Sequence, residues 1–269
     1  MNPISFMSAN FVARELNYNM TEGWGQGDRA TNDYFRPLET YAERFDGLLA
    51  EVRALNFEMV DIWTGHLNWQ WATPEHVAIA RDLLAKHNLG VASLAGGFGN
   101  TRAEVEKSCR LANALGTTIL GGNAGLLKTD RASLVAILKD HGVRLGIENH
   151  PEKTPQELLE KIGDGADGLI GAAVDTGWFG TQGFDAMFAL VELRNHLVHI
   201  HLKDVVAPGA HVTCRYGQGC VPIQRCVEML QRLDYGGPIS IEHEPEHANP
   251  TQDVLASTRL LRRWLAAGF

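Results

Sequence analysis

The sequence predicts a single closed parallel (β/α)8 barrel spanning residues 1–269. Apolar runs of strand length alternate eight times with amphipathic stretches of helical length, and no composition break or low-complexity linker divides them. The polar residues best suited to chemistry also collect at the ends of the last four strands. A closed barrel with right-handed crossovers brings those C-terminal ends to one mouth. A doubly wound open sheet shares the alternation but leaves the clustering unexplained.

In chain order, Ile4–Val12 reads as the first strand, and the polar stretch Asn17–Pro37 as a long loop over the mouth. Leu38–Leu55 repeats apolar residues at helical spacing, and Glu58–Trp63 returns to strand character. Thr73 before Pro74 marks the start of a helix over Pro74–Lys86, a capping hydroxyl followed by proline at the first helical position. Gly90–Ala95 is the third strand, with Gly96-Gly97-Phe98-Gly99 as its turn, and Arg102–Leu115 the next helix. Strand Thr117–Gly122, helix Arg131–Lys139 and strand Val143–Asn149 follow, and Thr154-Pro155 repeats the capping signal ahead of Pro155–Ile162. The series closes with strand Ile170–Thr176, helix Phe184–Asn195, strand Leu197–Lys203, a second long loop Val205–Val221, helix Pro222–Leu233, strand Pro238–His243 and helix Gln252–Leu265.

Composition narrows the function classes. With 45% hydrophobic and 21% charged residues the chain has material for a large core. A formal net charge of −8 suits neither a nucleic acid backbone nor an anionic membrane as partner. No apolar run reaches transmembrane length and the N-terminus has no basic signal-like region, so a cytoplasmic location is expected. Cys109, Cys214, Cys220 and Cys226 form no Cys-x-x-Cys pair and read as reduced, unlinked thiols.

The chemistry is expected at four strand ends: Gly-Ile-Glu-Asn-His with Glu148, Ala-Val-Asp-Thr-Gly-Trp with Asp175, His-Ile-His-Leu-Lys-Asp with His201, and Ser-Ile-Glu-His-Glu with Glu242. These four are separated by 27, 26 and 41 residues, one strand–helix repeat each, the last lengthened by a loop. Three carboxylates and one imidazole suit a divalent cation, Mn²⁺ first and Mg²⁺ or Co²⁺ next, with positions left open for a chelating substrate. A cation that polarises a carbonyl assists proton removal from the neighbouring carbon and stabilises the resulting enediolate. Glu148 and Glu242 could serve as the acid/base pair on opposite faces of a keto-sugar. His150 beside Glu148 is placed to titrate or to support a ligand. His199 reads as a core histidine and His243 as structural. Trp63 and His66 after the second strand, with Asp61, Trp69 and Trp71 nearby, divide evenly between packing on a sugar and anchoring a loop. Lys203 and Asp204 read as an ion pair with each other or with Glu246 and carry no catalytic role. The glycine turns Gly96–Gly99 and Gly121-Gly122 lack the full pattern of a nucleotide loop.

In order and position these motifs resemble the xylose isomerase-like barrels of the sugar phosphate isomerase/epimerase superfamily, from Ile4 to about Trp264. The resemblance implies that Glu148, Asp175, His201 and Glu242 bind Mn²⁺ or a similar ion. It implies that the two glutamates exchange the proton, that Arg215 grips substrate hydroxyls, and that a homo-oligomer forms. The substrate is then a small-molecule sugar. One position departs from the ketose 3-epimerases it resembles: Trp178 stands where they carry a substrate-binding histidine three residues after the ligating aspartate. An indole can stack on a sugar ring but cannot move a proton, which leaves His150 as the replacement and opens a lyase or dehydratase acting on a keto-inositol or 3-keto-glycoside. An abasic-site endonuclease and a non-catalytic sugar-binding barrel are the remaining alternatives.

Overall fold

In a computed structural model, residues 2–268 are described. Eight parallel strands close a barrel: β1 (Ile4–Met7), β2 (Met59–Trp63), β3 (Gly90–Gly97), β4 (Ile119–Asn123), β5 (Arg144–Glu148), β6 (Ile170–Asp175), β7 (Leu197–Leu202) and β10 (Ile239–Ile241). They pair in chain order, and β10 closes the ring between β7 and β1. Strands β8 (Asp204–Ala207) and β9 (Ala210–Cys214) form a separate antiparallel hairpin. β6 is buried along its whole length, as expected of parallel strands covered on both faces.

The expected helix starts are present. The Thr73 side chain accepts a hydrogen bond from the His76 N–H, and Thr154 accepts one from Glu157 N–H, so each satisfies a first-turn donor. Thr101 and Glu104 complete a capping box at Arg102–Ala114. Gly142, at φ 63°, ends Arg131–His141 in the left-handed conformation that glycine accepts.

Three expectations need correction. The first strand stops at Met7, and Ser8–Phe11 forms a 3-10 turn rather than continuing to Val12. The side chains there replace the ladder. Ser8 Oγ accepts from Trp63 N–H at 2.8 Å, while Asn10 donates to the Ile241 carbonyl at 3.1 Å and accepts from His243 N–H at 2.7 Å. The Asn17–Pro37 loop contains a helix, Trp24–Phe35, which seats Thr31 and Phe35 inward and leaves Trp24 at the mouth. The Val205–Val221 loop is largely the β8–β9 hairpin, turning at Pro208-Gly209.

Two glycines allow the mouth to pack. A Cβ on Gly122 (φ 150°) would lie 2.0 Å from the Gly96 carbonyl oxygen, so β3 and β4 end in close backbone contact. A Cβ on Gly177 would meet Lys203 Cγ at 2.6 Å, so only glycine there admits the lysine stem. The four cysteines are unlinked, Cys109 and Cys226 being buried. No helix among the described residues is long and apolar enough to cross a membrane.

Candidate active site

A cavity of about 280 Å³ opens at the C-terminal mouth of the barrel, lined on its polar side by Glu148, His150, His201, Lys203, Glu242 and Glu244. The strand register aligns the donors: Asp175 pairs with His201, and His201 with Ser240, two residues before Glu242. His201 Nδ1 lies 2.7 Å from Glu148 Oε1 and 3.5 Å from Glu242 Oε2. His150 bridges the next strand, with Nε2 3.1 Å from Asp175 Oδ2 and Nδ1 3.5 Å from Glu148 Oε2. Asp175 divides its oxygens. Oδ1 accepts from the N–H groups of Gly177 and Trp178 at 2.8 and 3.0 Å, capping the helix Thr176–Thr181, while Oδ2 faces the cavity floor.

Lys203 corrects the expectation of an outlying ion pair. Its ammonium is buried in the floor, 3.2 Å from Asp175 Oδ2, 3.2 Å from Glu242 Oε1 and 3.0 Å from Glu244 Oε2. Its backbone is pinned by Thr176, whose Oγ1 donates to the Lys203 carbonyl and accepts from its N–H. Asp204 turns the other way and accepts from the N–H groups of Gly217, Gly219 and Val221, holding the loop beyond the hairpin.

The electrostatics follow from this crowding. Burial disfavours a charged Glu148, but the imidazoles of His150 and His201 outweigh it and hold the carboxyl down at about 2. Burial, aided by Glu244 and Asp175, raises Glu242 to about 8 although Lys203 and His201 pull the other way. Against their own burial, His201 is raised to about 10 by Glu242 and Glu148, and His150 to about 9 by Glu148 and Asp175. Burial likewise opposes the Lys203 charge, yet the surrounding carboxylates keep its pKa well above the ordinary lysine value.

The donor set fits a divalent cation. Ligand atoms of Glu148, His201 and Glu242 lie within 4.8 Å of one another, as do those of Glu148, His150 and Asp175. Glu242 Oε2 is buried without a hydrogen-bond partner, a site open to a positive ligand. The four expected ligands thus form two overlapping groups joined by Glu148, with Lys203 placed between Asp175 and Glu242.

Beneath the floor lies a third cluster: Asp61, His199 and His201. Asp61 accepts from Ser93 Oγ at 2.5 Å, also accepts from Ser240 Oγ, and lies 2.7 Å from His199 Nε2. His199 is a fully buried core residue, and His243 packs 3.5 Å from Asp253 away from the floor.

The aromatic wall is differently composed than expected. Trp63 and Trp178 line the cavity, together with Trp24, Met7 and His211. His66 does not: it is buried behind Trp63, with its ring centroid 5.4 Å from that indole and Nδ1 3.1 Å from Ser8 Oγ. Burial lowers its pKa to about 3, the setting of a packed neutral imidazole. Arg215 is half-buried beyond β9 and does not line the cavity; the hairpin instead presents His211. Trp69 and Trp71 lie outside the barrel mouth, along a groove with Arg81 and Lys107. Lys203 and Glu244 were legible in principle, because residues 199, 201, 203 follow one strand parity and 242, 244 another. Trp24 and His211 sit on elements that the apolar pattern did not reveal.

Comparison with known proteins agrees with this architecture. Residues 49–264 match the xylose isomerase-like TIM barrel family. The putative L-ribulose-5-phosphate 3-epimerase UlaE of Shigella dysenteriae serotype 1 is 34% identical over 83 residues, which span 31% of this chain and 28% of that relative. A xylose isomerase-like TIM barrel protein from Mycobacterium smegmatis, solved in complex with magnesium, superposes with a TM-score of 0.72 at 15% identity, covering 99% of this chain and 97% of that one. An L-ribulose 3-epimerase gives 0.70 at 14% identity, covering 99% and 95%. At such identities the two structures share the fold alone. The match over residues 49–264, from the second strand through the last helix, places the chain in the xylose isomerase-like TIM barrel family.

Proposed function

We propose that the chain is a divalent-cation-dependent isomerase or epimerase acting on a keto-sugar. The observation that carries this reading is the placement of Glu148 and Glu242 on either side of His201 at the cavity floor, at 2.7 and 3.5 Å. Glu148, Asp175, His201 and Glu242 would hold the cation, Mn²⁺ first. When bound, it polarises a carbonyl and stabilises negative charge as a neighbouring proton leaves. One glutamate removes that proton and the other returns it: to the opposite face for epimerisation, or to the adjacent carbon for aldose–ketose isomerisation. Lys203 fixes the carboxylate geometry of Asp175, Glu242 and Glu244 and donates hydrogen bonds in the floor. The segmental match to a 3-epimerase relative supports the same class.

His150 favours a second reading, a lyase. Held protonated by Glu148 and Asp175 and facing the cavity, it can give a proton to a departing oxygen once the carbon beside the carbonyl is deprotonated. The C–O bond then breaks, its electrons leave with the oxygen, and a C=C bond forms.

Incubation of the Mn²⁺-loaded protein with ketoses and keto-glycosides in heavy water tests both. Metal-dependent deuterium uptake beside the carbonyl is expected, and product identity chooses between epimer, isomer and elimination product. Protein that binds Mn²⁺ yet exchanges no substrate proton would refute both readings.

A further inference from the structure

We propose that the substrate is an uncharged keto-sugar derivative carrying a planar apolar group, and not a sugar phosphate. The proposal deepens the functional reading above and rests on the same cavity being the substrate site.

The cavity carries aromatic surface beside its charged floor. Trp24 and Trp63 meet edge to face with centroids 5.2 Å apart, and Trp178 meets His211 at 5.0 Å and His150 at 4.6 Å. Met7, Ala9, Ala95 and Gly96 add uncharged lining to the cavity. Two of the three indole N–H groups are already committed: that of Trp24 donates to Glu244 at 3.3 Å, and that of Trp178 to the Glu152 carbonyl at 3.1 Å. Ring surface is therefore what these two tryptophans present. Trp63 is held by a glycine, since a Cβ on Gly65 would lie 2.4 Å from its ring. Trp24 remains 43% exposed at the rim, an apolar surface that a flat ligand group would cover. A free ketose, with a hydroxyl on every carbon but the carbonyl, offers little apolar surface to a wall of this kind.

Among the described residues that line the cavity there is no arginine, and its lysine and the imidazole of His150 are already paired with carboxylates. Sugar phosphates are gripped by forked arginine or lysine donors or by free helix N-termini. The ammonium in this lining belongs to Lys203, and three carboxylates already surround it. The N–H groups that open the helix Thr176–Thr181 are taken by Asp175 Oδ1. Arg14, near the first turn, is paired with Glu51 at 2.6 Å.

Calorimetric titration of the Mn²⁺-loaded protein with four probes tests the proposal. Phenyl β-D-glucopyranoside is expected to bind at least about tenfold tighter than methyl β-D-glucopyranoside, the gain expected of one stacked ring. D-Ribulose is expected to bind at least about tenfold tighter than D-ribulose 5-phosphate, whose phosphate would lose water without gaining a forked donor. Trp178→Ala should reduce the phenyl preference. Trp24→Ala, a change at the exposed rim with little demand on folding, should reduce it too. Equal affinity for the two glucosides, tighter binding of the phosphate, or failure of all four probes to bind would overturn the proposal. A phenyl preference without any proton exchange would leave it standing and sink the isomerase reading. Exchange on ketose phosphates in preference to free ketoses would do the reverse.

Discussion

The two halves of the barrel mouth are built from opposite materials. Glu148, Asp175, His201 and Glu242 stand at or just past the C-terminal ends of strands β5, β6, β7 and β10, with Lys203 and Glu244 just beyond. Strands β1 to β4 end in Met7, Trp63, Gly97 and Asn123, with small residues and paired glycine turns behind them. The charged half holds groups that repel and attract one another over about 3 Å and so depends on balance. The aromatic half is held by packing and by side chains such as Ser8 and Asn10 that stand in for ladder hydrogen bonds. On the proposed reading the charged half would carry reactivity and the aromatic half much of the selectivity, with Trp178, on the helix after β6, joining the two.

The sharpest way to break this division is to neutralise the proposed acid/base pair. Glu148→Gln or Glu242→Gln should lower proton exchange by about 10²- to 10⁴-fold, the range of general acid–base catalysis, measured as the rate of deuterium uptake. A rim change such as Trp24→Ala should act chiefly on KM. If the glutamine variants lost affinity and kept their turnover rate, the charged half would be a binding surface.

Lys203→Met comes next. It leaves Asp175, Glu242 and Glu244 without their shared cation, and stranding buried charge of this kind costs about 3–5 kcal/mol, to be read from urea unfolding in chelator. Added Mn²⁺ should recover part of the loss, since a cation answers the same field.

The pH response is smaller and separates the halves without mutation. His201 and His150, at about 10 and 9, lie above the ordinary histidine value near 6.5. Their stabilising contribution is full below that value and is lost as pH rises through 9 to 10. Glu242, raised to about 8, shifts stability in the same direction as pH rises towards that value. Metal-free protein should therefore unfold at lower urea at pH 9.5 than at pH 6.5. Cation binding, which requires unprotonated imidazoles, should strengthen over the same window and release protons detectable by calorimetry in buffers of different ionisation heat.

The smallest effect is a control in the scaffold. Thr154→Ala removes one helix cap and should cost about 1 kcal/mol without altering cation affinity.

The barrel was legible because its signals are periodic and redundant. The helices Pro74–Lys86 and Pro155–Ile162 announce themselves by a capping threonine and a proline, and the strand ends by the switch from apolar to ligating residues. What escaped lies where side chains substitute for regular backbone pairing. Ser8 and Asn10 end β1 early through long-range hydrogen bonds that no local pattern encodes. The helix Trp24–Phe35 buries Gly27, Thr31 and Phe35, only one of them a large apolar residue, and the β8–β9 hairpin exposes Val206 and Val212, so neither shows an apolar stripe in the sequence. Lys203 continues the parity of β7 just past its end, but a lysine pointing into a barrel is credible only once the three carboxylates around it are seen. His66 illustrates the converse. It sits close in sequence to a lining tryptophan and yet is screened from the cavity by that same ring.

The divided carboxylate of Asp175 has a practical bearing on redesign. One oxygen starts the short helix that carries Trp178, and the other belongs to the floor, so wall and floor share a single anchor. An alanine there would release both at once and confound any attempt to widen the pocket. An asparagine keeps an acceptor for the helix while withdrawing the negative charge, which makes Asp175→Asn the substitution that detaches the shape of the pocket from its chemistry.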